Sequence, residues 1–414
     1  MVSVPRESHS IVTETSGTVI AETTHSPINI TSESDFISLG LPGDGSPTDP
    51  YIIEDLSIES VSGESCVSVS GDISSNYVIR NCIISGTIMG EGDDIAAAGI
   101  YLGAGQGIID GCRISDCEIG VGIEYIEDVM IQNNIIETTY RGVAILNSSN
   151  VVIEDCELRG GNGLSLRLVN VSDALVSNCI IDADYTIIHG EHRVEIERCS
   201  VAGSTIAIGA VSEATIRHNT LTRSEITLTG SSENIDVYNN TLLQCYNTGI
   251  DVGANNSLIY DNTIEGYGDF NYFGLVLAGY DCEVFGNEIS NFYYGVVVHS
   301  TGNDIHNNTI HDCSVCGVVM VSYSSGNRFY YNHVYRNKFN AHDDGINNIW
   351  DDGIDTGNRW GDAWSAPYQI NGSANAVDRY PIIIRGFDVA LAVILTGIVI
   401  AVVVIVFVIK KKKT

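Results

Sequence analysis

The chain has 414 residues, 44% hydrophobic and 17% charged, which allows a sizeable core and excludes a wholly disordered polymer. Its 52 acidic residues face 20 Lys and Arg, a formal charge of -32, and Lys338 is the one lysine before the run at 410–413. Such a surface repels nucleic acid and anionic polymers and excludes nucleic-acid binding, while it suits divalent cations and a salty medium.

Residues 1–27 are rich in Ser and Thr and read either as a disordered segment or as the remnant of a longer leader. The opening MVSVPRESHS has no basic stretch followed by an apolar one, so a secretory leader is expected upstream of it.

From residue 28 to residue 339 the chain resembles itself. Segments such as VIRNCIIS, VIEDCELR, TIRHNTLT and DIHNNTIH align on one anchor column. Its members are Cys82, Cys112, Asn134, Cys156, Cys179, Cys199, Asn219, Asn240, Asn262, Asn287, Asn308 and Asn332, spaced by 20 to 30 residues, and Leu56 fits as an earlier copy. Three residues before every anchor and two after it stand only apolar residues, from Ile79 and Ile84 to Phe329 and Val334. The residues between are mixed and polar, as strands with one buried face require. A second strand follows many anchors, often opened by glycine, as in GVAIL at Gly142 and GLVLAG at Gly274. Two or three short strands per ~22 residues predict an all-β fold, a right-handed parallel β-helix solenoid of about 12–13 turns stacked at ~4.8 Å. Asparagines in register predict a hydrogen-bonded ladder at an inward bend, with cysteine as a small buried hydrophobe at the same place. Cys82, Cys112, Cys156, Cys179 and Cys199 are therefore expected to be free thiols. Cys66, Cys117, Cys245, Cys282, Cys313 and Cys316 lie off that column, and eleven cysteines cannot all pair.

Residues 340–382 depart from the repeat and read as a C-terminal cap, and 383–388 as a juxtamembrane linker. Residues 389–409, VALAVILTGIVIAVVVIVFVI, read as a transmembrane helix, because about 20 apolar residues cross a bilayer core. The basic tail, residues 410–414, is then cytoplasmic, and the body lies outside a cell membrane crossed once. N-x-S/T triplets at Asn29, Asn147, Asn170, Asn239, Asn255, Asn307 and Asn371 agree with that exposure.

The cap carries the most specific likeness. Asp344, Gly345, Asn347, Trp350, Gly353, Gly357, Asn358, Trp360, Pro367, Tyr368, Ile370, Asp378, Tyr380 and Pro381 are similar to a terminal pattern of one β-helix group. That group holds the NosD-like proteins and the carbohydrate-binding and sugar-hydrolase (CASH) β-helices built from PbH1 repeats. The segment DFISLGLPGDGSPTDPYIIEDLSI resembles the first coil of surface-anchored, archaeal-type members. The resemblance covers residues 28–382 and implies the right-handed β-helix, with little of the function. An acidic, calcium-like stretch common in the family is shortened here to GDAWSA. Four Met and no clustered His or Met offer no copper set of the kind NosD implies.

Two residues before the anchor, where side chains face outward, the first seven coils read Arg80, Asp110, Gln132, Glu154, Ser177, Glu197 and Arg217. The next five read Tyr238, Tyr260, Phe285, His306 and Tyr330. This stripe would run ~19 Å, enough for several sugar rings to lie on ring faces or for a partner protein to anchor. The other reading is that stacked aromatics stabilise neighbouring strands. Asp343, Asp344, Asp351, Asp352 and Asp355 offer hard oxygen ligands for calcium, the one cofactor the sequence raises, or form a solvated cap. Catalytic sets of sugar-acting relatives are incomplete: polygalacturonase-type motifs leave only His189-Gly190, and the uronate-epimerase signature D-P-H-[DE] only His342-Asp343. The expectation is a non-catalytic cell-surface protein that binds a polysaccharide or an envelope protein. The alternatives are a polysaccharide lyase, hydrolase or epimerase on the same fold, and a structural spacer.

Overall fold

The computed structural model describes residues 23–60, 63–86, 95–160, 163–182, 185–190, 192–268 and 272–383, in two units, Met1–Gly163 and Leu164–Thr414. In both, a left-handed residue turns the chain at the same place in each coil. The position just before the anchor is held by Asn81, Asn133 and Asp155 in the first unit and by Asn178, Asn239, Asp261 and Asn307 in the second, all at φ of 52–57°. Short polar side chains tolerate this region by bonding locally, and Gly111 and Gly286 enter it with no Cβ to clash. Arg198, His218 and Tyr331 hold it as well, at a cost of about 1 kcal/mol each.

The first unit stacks five parallel strands ahead of the anchors: Tyr51–Glu54, Asn76–Arg80, Gln106–Asp110, Glu127–Gln132 and Ser149–Glu154. Ile53, Ile79, Ile109, Ile131 and Ile153 pair in one row and are fully buried, each stabilising by roughly 1.5–3 kcal/mol. A short helix, Glu33–Ser38, covers the first coil: Phe36 is buried and stacks on Tyr51 at 4.5 Å, while Asp35 accepts from the Ser32 backbone at 2.9 Å. The described fold begins earlier than residue 28. Thr23–His25 pairs in parallel with Leu56–Ile58, because the first coil's edge strand needs a neighbour for its backbone. The last residues of the supposed disordered segment are thus a strand.

The second unit stacks eight strands in the same row, from Ser172–Ser177 through Val194–Glu197, Ala214–Arg217, Ile235–Tyr238, Leu258–Tyr260, Glu283–Phe285 and Asp304–His306 to Arg328–Tyr330. Each unit is an all-β parallel β-helix, and the turns number about thirteen in all. The second unit's corner is a polarised amide ladder. The Cys199 N–H donates to Asn219 Oδ1 at 2.9 Å. From there the backbone N–H and Nδ2 of each asparagine donate to Oδ1 of the next, through Asn240, Asn262, Asn287, Asn308, Asn332 and Asn358, all at 2.9–3.1 Å. Every Oδ1 accepts from the coil before it and every backbone N–H donates to the coil after it, so the last coil needs an acceptor. Asp378 supplies it, taking the Asn358 backbone N–H at 2.7 Å and the Trp360 indole at 2.8 Å.

A second corner repeats the arrangement. Cys282, Asn303, Asn327 and Asn348 form a ladder that ends on Asp343, which also takes the Trp350 indole at 2.8 Å. A third begins with the Cys313 N–H on Asn337 and reaches Asp362 through Asn340. The order cysteine, asparagine, aspartate follows from what each position must do: the first need only donate its backbone N–H, the middle ones donate and accept, and the last only accepts. All eleven cysteines are buried, and Cys282 and Cys313, expected off the ladder, each head one.

One further boundary moves. Residues 346–349 bridge to Ser325 and Arg328, and Arg359–Trp360 pairs with His333–Val334, so the solenoid continues into the segment assigned to the cap. Among the described residues no helix is long and apolar enough to cross a membrane; the expected span at 389–409, the tail at 410–414 and most of the linker lie outside the described residues.

Candidate binding face

On the outer side of the second unit's eight strands, alternation places two rows in view. One reads Glu195, Thr215, Asp236, Leu258, Glu283, Asp304 and Arg328; the other reads Glu197, Arg217, Tyr238, Tyr260, Phe285, His306 and Tyr330. The five aromatic positions expected as a stripe are brought together, half-buried, in consecutive register.

Their faces meet one another. Ring centroids lie 4.7 Å apart for Tyr238 and Tyr260, 4.9 Å for Tyr260 and Phe285, 5.4 Å for Phe285 and His306, and 5.0 Å for His306 and Tyr330, all stacked. The coil spacing falls at the short end of the range at which aromatic rings interact, so identical register brings neighbouring faces together with no room for another layer between them. Flat stacking of a sugar on the interior rings is therefore closed off, and the stripe offers edges and hydroxyls. Arginines bound it: Arg217 Nη1 donates to the Tyr238 hydroxyl at 3.4 Å, and the Arg328 guanidinium lies 5.7 Å from the Tyr330 centroid.

Carboxylates flank the rings. Glu283 bonds His306 Nε2 at 2.8 Å, Arg328 Nε donates to Asp304 at 2.6 Å, and Arg217 pairs with Glu197 at 2.6 Å and with Glu195. Burial pushes the Asp236 carboxyl up, and it pushes the Tyr260 hydroxyl up with help from Tyr238 and Asp236. The acid row was missed in the sequence although its signal was present, two residues before the aromatics at Asp236, Glu283 and Asp304. At the far end of the earlier polar column Ser177 and Glu197 are buried, so that column is not uniformly open.

The five aspartates expected as a calcium cluster do not converge, because each already has a structural task. Asp343 ends a ladder. Asp344 accepts from the Ser373 backbone at 2.7 Å and from His342 at 2.9 Å, and the Ser373 N–H leads in holding it down to about 2. Asp351 binds Arg379 Nε at 2.7 Å; Asp352 accepts the N–H groups of Ile354, Asp355 and Thr356; Asp355 takes the Thr356 hydroxyl. Among the described residues no three of His, Cys, Asp and Glu are placed to hold a metal ion.

Residues 65–242 match the family described as right handed beta helix region, and residues 175–365 match the family described as periplasmic copper-binding protein (NosD). With every cysteine buried in the core and no metal-holding group among the described residues, the side chains present do not fit copper. No curated protein matches the chain significantly. Among solved structures it is similar to the Dettilon tailspike protein gp208, at 14% identity over 81% of this chain and 63% of that one, TM-score 0.33. It is similar to the periplasmic alginate epimerase AlgG, at 14% over 82% and 84%, TM-score 0.38, and to the Family 28 exopolygalacturonase of Yersinia enterocolitica, at 11% over 78% and 78%, TM-score 0.37. The chain spans less than two thirds of the Dettilon tailspike and of bacteriophage CBA120 tailspike protein 3, and at these identities none of the likenesses speaks to activity. The two family matches together run from residue 65 to residue 365 and support a NosD-like right-handed β-helix family.

Proposed function

We propose that this chain is a single-pass cell-surface protein whose extracellular β-helix binds a neutral, hydroxyl-rich glycan without turning it over. The observation that carries the reading is the double row on the second unit, where the carboxylates of Asp236, Glu283 and Asp304 stand beside half-buried aromatic rings. Carboxylates accept from sugar hydroxyls, and ring edges carry the positive part of the aromatic quadrupole. The chain's acidity opposes uronate polymers and selects neutral ones. The run at 389–409 followed by four lysines supports the anchor and its orientation. The test is a glycan array probed with the full-length protein in detergent, with and without calcium, beside a triple variant Asp236→Asn, Glu283→Gln, Asp304→Asn. Neutral glycans should bind, and the variant should lose them while keeping its melting temperature. Equal binding by the variant, or a preference for uronates, rejects this face.

A second reading, an enzyme acting on the same class, has one observation in its favour. Asp251 sits half-buried on a neighbouring outward row, and burial, with Glu225 beside it, pushes its carboxyl up as a general acid requires. Product formation from any bound glycan, lost in Asp251→Asn, would establish that reading in place of the first.

A further inference from the structure

The coil that closes the second unit exposes an unusual set of apolar side chains. Ile354 is 76% exposed and Trp364 90%, and Ile346, Ile349, Tyr380 and Ile382 are exposed as well. Ile346 and Ile349 bridge back to Ser325 and Arg328. The Gly357 N–H donates to the Tyr380 carbonyl, and the Ile382 N–H to that of Asn358. The set thus lies on the last coil and on the segment laid over it, and among the described residues no coil follows. The contrast among the tryptophans is sharp: Trp350 and Trp360 are buried with their indoles on Asp343 and Asp378, and Trp364 projects into solvent. Patches of this kind mark contact surfaces, since in water they forfeit roughly 25 cal/mol per Å² of apolar area.

The sequence names the occupant. The uncharged run begins at residue 389, six residues past the last described one, and six residues reach at most about 20 Å. Once that run is in a bilayer, the closing coil cannot stand far from the headgroups. Indole and phenol rings are favoured at that depth, one end apolar and the other wet. Asp352, Asp355 and Asp362 on the same coil oppose an anionic surface, so the fit is to zwitterionic lipid. We propose that the C-terminal end of the solenoid rests on the lipid headgroup layer through Trp364 and its apolar neighbours. The proposal depends on the reading of 389–409 as a membrane span.

The full-length protein in phosphatidylcholine nanodiscs tests this by tryptophan quenching. Emission of wild type minus that of Trp364→Phe isolates the exposed indole, and the variant should fold because the ring packs on nothing. Lipids brominated near the headgroups should quench this component about twofold, while acrylamide quenches it less than in the same protein held in detergent. Flotation after an alkaline wash reports the anchor separately. Protein that floats with Trp364 unquenched by bromine overturns the lipid contact and leaves the anchor standing; protein that does not float overturns both.

Discussion

The two units solve one problem, how to fill the inward corner of each coil, with different chemistry. In the first the corner is mostly thiol: Cys82 and Cys156 turn their S–H groups back to the carbonyls of Arg80 and Glu154, at 3.3 and 3.2 Å. A thiol is a weak donor and a weaker acceptor, so coupling between coils is sparse: the Cys112 N–H donates to Asn134 Oδ1 at 2.8 Å, and Asn134 reaches Cys156 Sγ only at 3.8 Å. In the second unit the corner is amide from Asn219 onward, and each coil's donors depend on the acceptor of the next. Sparse coupling in one region and continuous coupling in the other should give different responses to the same kind of damage.

The largest effect is expected at the end of the dependent chain. Asp378→Ala removes the oxygen that Asn358 and Trp360 share, and should cost about 3 kcal/mol in chemical denaturation, because buried donors are left without partners. Next comes Asn287→Cys, which gives the second unit the corner residue of the first; it orphans the two donors of Asn262 and should cost about 2 kcal/mol. The matching change in the first unit, Cys82→Ala, should cost about 1 kcal/mol, and a cost equal to that of Asn287→Cys would erase the distinction. Tyr260→Ala, which breaks the ring stack at its second member, should cost about 1–2 kcal/mol beyond any effect on binding.

The smallest effect is on pH dependence. Burial, with the charges of Arg359 and His311, pushes His333 down from 6.5 to about 4, its ring stacked on Tyr335. The unfolded chain binds that proton first, so the stability this site supports is present above about 6.5 and lost as pH falls toward about 4. Melting curves of His333→Gln should show a shallower loss over that window than wild type, and an identical slope would remove His333 from the account.

Most of this fold was legible because a stacked coil writes the same physical demand into the sequence every ~22 residues. The buried rows around Ile79 and Ile84 and the asparagine ladder follow from that periodicity alone. The left-handed corner was legible too, in the Asn and Asp residues at 81, 133, 155, 178, 239, 261 and 307, but an anchor column drew attention away from its neighbour. The aspartate ends were harder. Asp378 stands one repeat beyond Asn358, whereas Asp343 returns to Asn348 from earlier in the chain, which no spacing reveals. The resemblance marked Asp344 and Asn347 in the cap, and the residues that close the second ladder are their neighbours Asp343 and Asn348. For the candidate face, sequence placed the aromatics outward and together; that their faces would be occupied follows from coil spacing, a fact of three dimensions.

The most direct test of coupling through the amide corner is hydrogen exchange on the full chain, comparing wild type with Asp378→Ala. The expected result is lost protection that spreads from Asn358 back through the corner amides toward Asn219, while the corners at Cys82 and Cys112 keep theirs. Loss confined to residues beside Asp378, or spread equally through both units, would contradict the account.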